Sequence, residues 1–317
     1  MNKLQLGNLP TPIHPLPYLS QEYRKNLYIK RDDYTGSEYS GNKVRKLEYV
    51  LADALNKGCD AVITCGGIQS NHCRATSAAC ARLNIPCHVV LRGEKQDFEG
   101  NLFLDTMLGA RVHLIAPEKD YESAMDEVAQ ELRRQGKKPH LIPVGASTHV
   151  GSLGYEDAWQ EILTWEKSNG LVFDAVCIAV GSGGSYAGLW QGNEQSGGHK
   201  KVVGFAVSND SAYFQQRITD ILQEGGIKAK KEAILIQDGY VGEGYALATK
   251  EEIKQYMFIA RREGIVLDPC YTGKAFRGML AEMQNGVLKE QKNILFIHTG
   301  GLMGWTRKQD VLLLFQH

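Results

Sequence analysis

Short apolar runs rich in β-branched residues alternate with longer stretches whose apolar positions recur every three or four residues, nearly from end to end. The short runs predict strands at residues 27–30, 61–65, 87–91, 112–115, 175–180, 202–207, 234–236 and 294–298. The periodic stretches predict helices at 45–57, 71–83, 101–108, 123–135, 155–168, 213–224, 250–262 and 273–283. Such alternation builds parallel sheet with helices on both faces, so the expected class is α/β. Residues 58–154 hold about four strand–helix alternations, enough for a sheet of their own. They are expected to form a smaller domain, with 1–57 and 155–317 making a larger one. Two open twisted sheets then flank a cleft, and ligands of such folds sit at the carboxyl ends of the strands. Residues 192–200 and 228–232 read as surface connections.

Charge and cysteine usage narrow the function classes. Lys plus Arg equal Asp plus Glu at 36 each, so no net field draws the chain to nucleic acid or an anionic membrane. No apolar run is long enough to span a bilayer, and Met1-Asn2-Lys3-Leu4 leads into polar, proline-rich sequence unlike a signal peptide. A cytoplasmic protein is the expectation. The cysteines show no C-x-x-C pair and lie mostly in apolar segments. Buried reduced thiols therefore fit better than disulfides or a zinc site.

The candidate chemistry begins at Ser40-Gly41-Asn42-Lys43-Val44-Arg45-Lys46. Ser40 and Asn42 are N-cap candidates, which puts Lys43, Arg45 and Lys46 in a first helical turn. A helix N-terminus is locally positive, so three cations there point to a bound anion or to a lysine kept neutral as a nucleophile. A solvated basic helix start is the alternative. The other signals lie just past predicted strands. Gly66-Gly67-Ile68-Gln69-Ser70-Asn71-His72 offers a carboxylate or phosphate a glycine turn and a helix start, although Ser70 or Asn71 merely capping the helix explains it equally. Gly181-Ser182-Gly183-Gly184-Ser185 has the composition of an anion nest at a strand-to-helix turn. It lacks the lysine of a P-loop, and Tyr186 stands where the dinucleotide fingerprint needs its third glycine. Thr299-Gly300-Gly301 forms a third glycine-rich strand end, with His298 expected to be a satisfied strand-end histidine. A phosphate nest, an activated lysine and a carboxylate cradle share one explanation, pyridoxal phosphate acting on a small amino acid.

These segments, together with Leu267-Asp268-Pro269-Cys270-Tyr271-Thr272-Gly273-Lys274, resemble the D-cysteine desulfhydrase and 1-aminocyclopropane-1-carboxylate (ACC) deaminase family. That family belongs to the tryptophan-synthase-β-like, fold type II pyridoxal-phosphate enzymes, and the resemblance runs over roughly residues 7–301. It implies that Lys43 holds the cofactor covalently, that Asn71 meets its phenolic oxygen, and that Gly181, Ser182, Gly183, Gly184 and Ser185 cup its phosphate. Thr299 would lie by the pyridine nitrogen. Ser70, Asn71, His72, Tyr271 and Thr272 would face the substrate, with Lys43, Ser70 and Tyr271 catalytic. ACC deaminases carry Glu and Leu where this chain has Thr272 and Thr299, whereas the desulfhydrases carry Thr at both. The resemblance therefore implies β-elimination from D-cysteine to pyruvate, ammonia and hydrogen sulfide, in a homodimer. L-cysteine desulfhydration, cysteate sulfo-lyase activity, ACC deamination and racemisation remain reachable, as does a non-catalytic cofactor-binding role. A nicotinamide dehydrogenase is the third choice. Residues 302–307 depart from the family pattern, which makes Arg307 a candidate partner for an anionic substrate side chain.

Overall fold

The computed structural model describes residues 2–93 and 99–305. The chain opens with β1 (Ile13–Pro15), α1 (Pro17–Tyr23), β2 (Asn26–Lys30) and α2 (Lys43–Asn56). It continues through β3 (Ala61–Gly67), α3 (Asn71–Arg82), β4 (Cys87–Arg92), α4 (Gly100–Met107), β5 (Arg111–Ile115), α5 (Tyr121–Arg134) and β6 (Pro139–Ile142). The remainder is α6 (His149–Asn169), β7 (Ala175–Val180), α7 (Gly184–Gln195), β8 (Lys201–Ala206), α8 (Ser211–Glu224), β9 (Leu235–Gln237), α9 (Lys250–Glu263), α10 (Thr272–Asn285) and β10 (Asn293–Ile297).

Two sheets result. One has the order β1-β2-β10-β7-β8-β9, the other β5-β4-β3-β6. Every pairing is parallel except that of β1 with β2, an antiparallel edge that the sequence pattern does not announce. The first sheet is covered on both faces, and the period of two sorts its side chains. Val176, Ile178 and Val180 of β7 join Trp159, Tyr186 and Phe214 in one core. Ala175 and Cys177 point the other way, toward Phe276 and Met279 of α10. All seven cysteines are free and six are buried, as their apolar surroundings predict. No helix among the described residues is long and apolar enough to cross a membrane.

Helix α2 ties the halves together. Its Leu47, Val50 and Leu51 are buried with Val62, Val89 and Leu91 of the second sheet. Arg45 turns away from that core into a buried ion network. Its guanidinium bonds Asp32 through Nε and Nη2, each at 2.9 Å, and Glu161 through Nη1 and Nη2, each at 2.8 Å. The Tyr155 hydroxyl and Thr11 Oγ1 also donate to Asp32, both at 2.7 Å. Burial would raise the Asp32 carboxyl, but Arg45 and Lys30 outweigh it and hold the group below its ordinary range. One of the three cations at this helix start is thus structural, with no part in anion binding.

Candidate active site

At the carboxyl ends of the strands, between the sheets, lies a cavity of about 310 Å³. Lys43 reaches it through a backbone contact between the start of α2 and the end of β10. Gly41 sits at φ 113°, where a Cβ would lie 2.6 Å from the Thr299 carbonyl oxygen, and a Cβ on Gly300 would meet Gly41 Cα at 2.7 Å. The Asn42 N–H donates to that same Thr299 oxygen at 3.1 Å. Neither Ser40 nor Asn42 caps α2 with its side chain, contrary to the sequence expectation. The Asn42 amide instead crosses the cleft and donates to Ser185 Oγ at 3.0 Å. Lys43 is half-buried, and desolvation, opposed by Cys270, lowers its amine to about 8.

The opposite wall is the glycine turn between β7 and α7. Gly181, Ser182, Gly183 and Ser185 line the cavity, and the orphan N–H groups of the first turn of α7 open there. Gly184 and Lys46 are not among the lining residues: Gly184 packs back onto Lys46, and a Cβ on it would lie 2.6 Å from Lys46 Nζ. Lys46 is fully buried and donates to Ser147 Oγ at 2.8 Å, which in turn lies 2.7 Å from Ser182 Oγ. Burial first, then the charges of Lys43 and Arg217, drive its amine well below the ordinary lysine value. No carboxylate is among its described hydrogen-bond or ion-pair partners. A buried amine without a counter-ion, set against a glycine turn, is a site shaped for an anion.

Ser70, Asn71 and His72 enter the cavity from the start of α3. Ser70 is also the N-cap, its Oγ accepting from the Cys73 N–H at 3.2 Å, so capping and cavity-facing roles coexist. His72 is buried, with Nε2 2.7 Å from Thr64 Oγ1. That hydroxyl donates to the Ile142 carbonyl at 2.9 Å, which makes Nε2 the donor and leaves Nδ1 unprotonated. Burial and the nearby Lys43 and Lys46 keep the ring neutral. Tyr271 and Thr299 also line the cavity, and the Tyr271 hydroxyl is hydrogen-bonded to that of Tyr245. Burial, reinforced by Cys270 and Tyr245, raises the Tyr271 phenol well above its usual value, so it stays protonated.

Thr272 does not reach the cavity. It is fully buried behind Tyr271, with its hydroxyl donating to Asp268 Oδ1 at 2.6 Å. His298 is satisfied as expected, its Nδ1 accepting from the Gly300 N–H and its Nε2 facing the Val266 carbonyl, both at 3.2 Å. The cavity lining ends at Gly301. Leu302–Gly304 forms a turn in which Leu302 and Met303 are exposed, Trp305 donates to the Leu267 carbonyl at 3.1 Å, and Arg307 lies outside the described residues. Besides Lys43, the basic residue among the described lining residues is Arg92, stacked 4.0 Å over the Tyr121 ring. Sequence reasoning also passes over Tyr245, Ser147 and the distinct role of Lys46. Only Lys46 carries a local signal, its three-residue spacing from Lys43, which places both amines on one helix face.

The geometry defines a class: a two-sheet scaffold with a cavity between the sheets, Lys43 on one wall and a glycine turn at a helix start on the other. A family model described as pyridoxal-phosphate dependent enzyme matches residues 4–300, and the chain belongs to that family. It is 40% identical over 319 residues, 96% of this chain and 79% of the other, to the mitochondrial bifunctional D-cysteine desulfhydrase/ACC deaminase of Arabidopsis thaliana. With the D-cysteine desulfhydrase of Klebsiella pneumoniae it shares 36% identity over 312 residues, 94% of each chain. Among solved structures, an ACC deaminase homologue superposes with a TM-score of 0.89 at 38% identity, covering 99% of this chain and 96% of the other. An O-ureido-L-serine synthase at 16% identity, TM-score 0.69, shares the fold alone. The chain is a pyridoxal-phosphate-dependent lyase.

Proposed function

We propose that this lyase eliminates the β-substituent of a small amino acid, with D-cysteine and water converted to pyruvate, ammonia and hydrogen sulfide. One observation carries the choice of reaction. No carboxylate is among the described residues lining the cavity, and Thr299, which the family resemblance sets by the pyridine nitrogen, is one of them. A hydroxyl leaves that nitrogen unprotonated, which weakens the electron sink and favours loss of a good leaving group over ring opening.

When bound, pyridoxal phosphate supplies the sink for the electron pair released at Cα. The protein does the rest. The 181–185 turn would hold the phosphate, with the Lys46 amine directly behind Gly184 as its nearest counter-charge, and the amide of Asn71 would meet the phenolic oxygen. The start of α3 receives the substrate carboxylate on its N–H groups. Lys43 Nζ or Ser70 Oγ takes the Cα proton, according to the face the substrate presents, and the Tyr271 phenol returns a proton to the departing sulfur.

The deciding test is α-keto acid release from D-cysteine, L-cysteine, β-chloroalanine, cysteate and ACC. Turnover is expected to be fastest with D-cysteine; faster turnover of ACC, or none with any thiol substrate, rejects the reading. A second expectation concerns attachment of the cofactor. Only a neutral amine attacks an aldehyde, so the rate at which apo-protein gains visible absorbance should climb with pH and level off above about 8. A climb that continues toward the ordinary lysine range would show that Lys43 is not desolvated. A third concerns the cup. Lys46→Met should weaken cofactor affinity about 10-fold or more through loss of the positive charge behind the phosphate turn, and equilibrium dialysis reads it directly.

A further inference from the structure

An asparagine side chain has two ends of similar shape, and only one of them suits a phenolate oxygen: the NH₂ donates, whereas the carbonyl repels. On the reading above, Asn71 meets that oxygen. We infer that Asn101, in the first turn of α4, fixes which end of Asn71 faces the cavity and so acts as a positioning residue for the cofactor.

The assignment follows from groups that have no choice of role. Asn101 is fully buried, and its Nδ2 lies 2.8 Å from the backbone carbonyl of Gln69 and 3.0 Å from Asn71 Oδ1. A backbone carbonyl only accepts, so the end of Asn101 turned to Gln69 is its NH₂. That same NH₂ meets Asn71, whose atom at this contact is therefore the carbonyl oxygen. The NH₂ of Asn71 is left as the end available to the cavity. Gln69 is fixed by equally obligate groups, its Oε1 accepting from the Asn101 N–H at 2.8 Å and its Nε2 donating to the Glu99 carbonyl at 3.2 Å.

Local construction supports a geometric purpose. Gly100 takes a φ of 58°, and a Cβ there would lie 2.5 Å from Gln69 Oε1, so the turn admits this clasp only without a side chain. Asn101 Oδ1 is buried with no hydrogen-bond partner among the described residues, a cost that sets its other bonds apart from simple stabilisation. A helix of the second sheet thus orients a donor aimed at the cofactor ring.

The experiment compares Asn101→Ala, Asn71→Ala and the double variant with wild-type holoenzyme, reading cofactor dissociation constant and absorbance spectrum. Asn101→Leu, which fills the same volume, is run beside them, so that the answer survives if truncation alone impairs folding. Either Asn101 variant is expected to raise the dissociation constant about 5- to 30-fold, the effect of one lost hydrogen bond. Visible absorbance should pass in part to the near ultraviolet, since a phenolic oxygen deprived of its donor takes up a proton. In the Asn71→Ala background, Asn101→Ala should add nothing further. Wild-type affinity and spectrum in both Asn101 variants, with Asn71→Ala altering both, would overturn the inference alone. Additive effects would overturn it too, by showing that Asn101 acts other than through Asn71. An unchanged Asn71→Ala spectrum would remove the reading on which the inference rests, and the inference with it.

Discussion

Lys43→Ala is expected to lower turnover by about 10⁴-fold or more, because it removes both the covalent anchor and a proton acceptor at Cα. The visible band of the bound cofactor should vanish with it. The residues proposed to cup the phosphate are others, so the variant should still bind the cofactor, weakly and without colour. This pattern distinguishes a missing nucleophile from a collapsed site. The surroundings make the effect specific to Lys43: Lys46 lies one turn away but is tied to Ser147 and set against Gly184, on the far side of the cup. Retained turnover with retained colour in Lys43→Ala would defeat the assignment.

Asp32→Ala is expected to be the most destabilising single change outside the cavity, at about 3–5 kcal/mol, the cost of leaving a buried charge unmatched. Asp32 and Arg45 are both fully buried, and Asp32 accepts from Arg45, Tyr155 and Thr11. The substitution strands part of the Arg45 guanidinium and leaves two hydroxyls without an acceptor. Glu161 still pairs Arg45 and Lys30, which prevents a larger loss. In urea, the transition midpoint should fall with its slope unchanged. A loss under about 1 kcal/mol, the scale of exposed pairs, would mean that water reaches the network. The pH dependence has a definite sign. The folded Asp32 carboxyl lies below its ordinary range, so its contribution is present above that range and fades as pH falls through the folded value. Asp32→Ala should therefore narrow the stability gap between neutral and acid pH.

Fully buried strands are plain in the sequence because most positions on both faces are apolar: β3, β4, β7, β8 and β10 read as short runs dominated by hydrophobic residues. β1 and β6 escape notice, being short and carrying prolines at Pro15 and Pro139. Helix α7 is harder to read for a different reason. Gly188 and Gly192 interrupt its apolar pattern, yet they are where it approaches α6: a Cβ on Gly188 would lie 2.1 Å from the Ser152 carbonyl, and one on Gly192 2.7 Å from Trp159. Gly151 and Gly154 similarly hide the first turn of α6, which begins at His149. Residues that look like helix breakers are contact surfaces here. In the site, contiguous motifs carry Lys43, Ser70, Asn71 and the glycine turn. Tyr245, Ser147 and Asn101 come from separate loops and helices, and only the folded chain brings them near those motifs.

The Gly41–Gly300 contact bears on how such an enzyme could be retuned. With two main chains pressed together there, neither position tolerates even a methyl group, so the register of the amine against the last strand is closed to mutation. Among the described residues, the facing side, where Arg92 rests on Tyr121, carries no such backbone seam. A search for variants that accept a different leaving group belongs on that side.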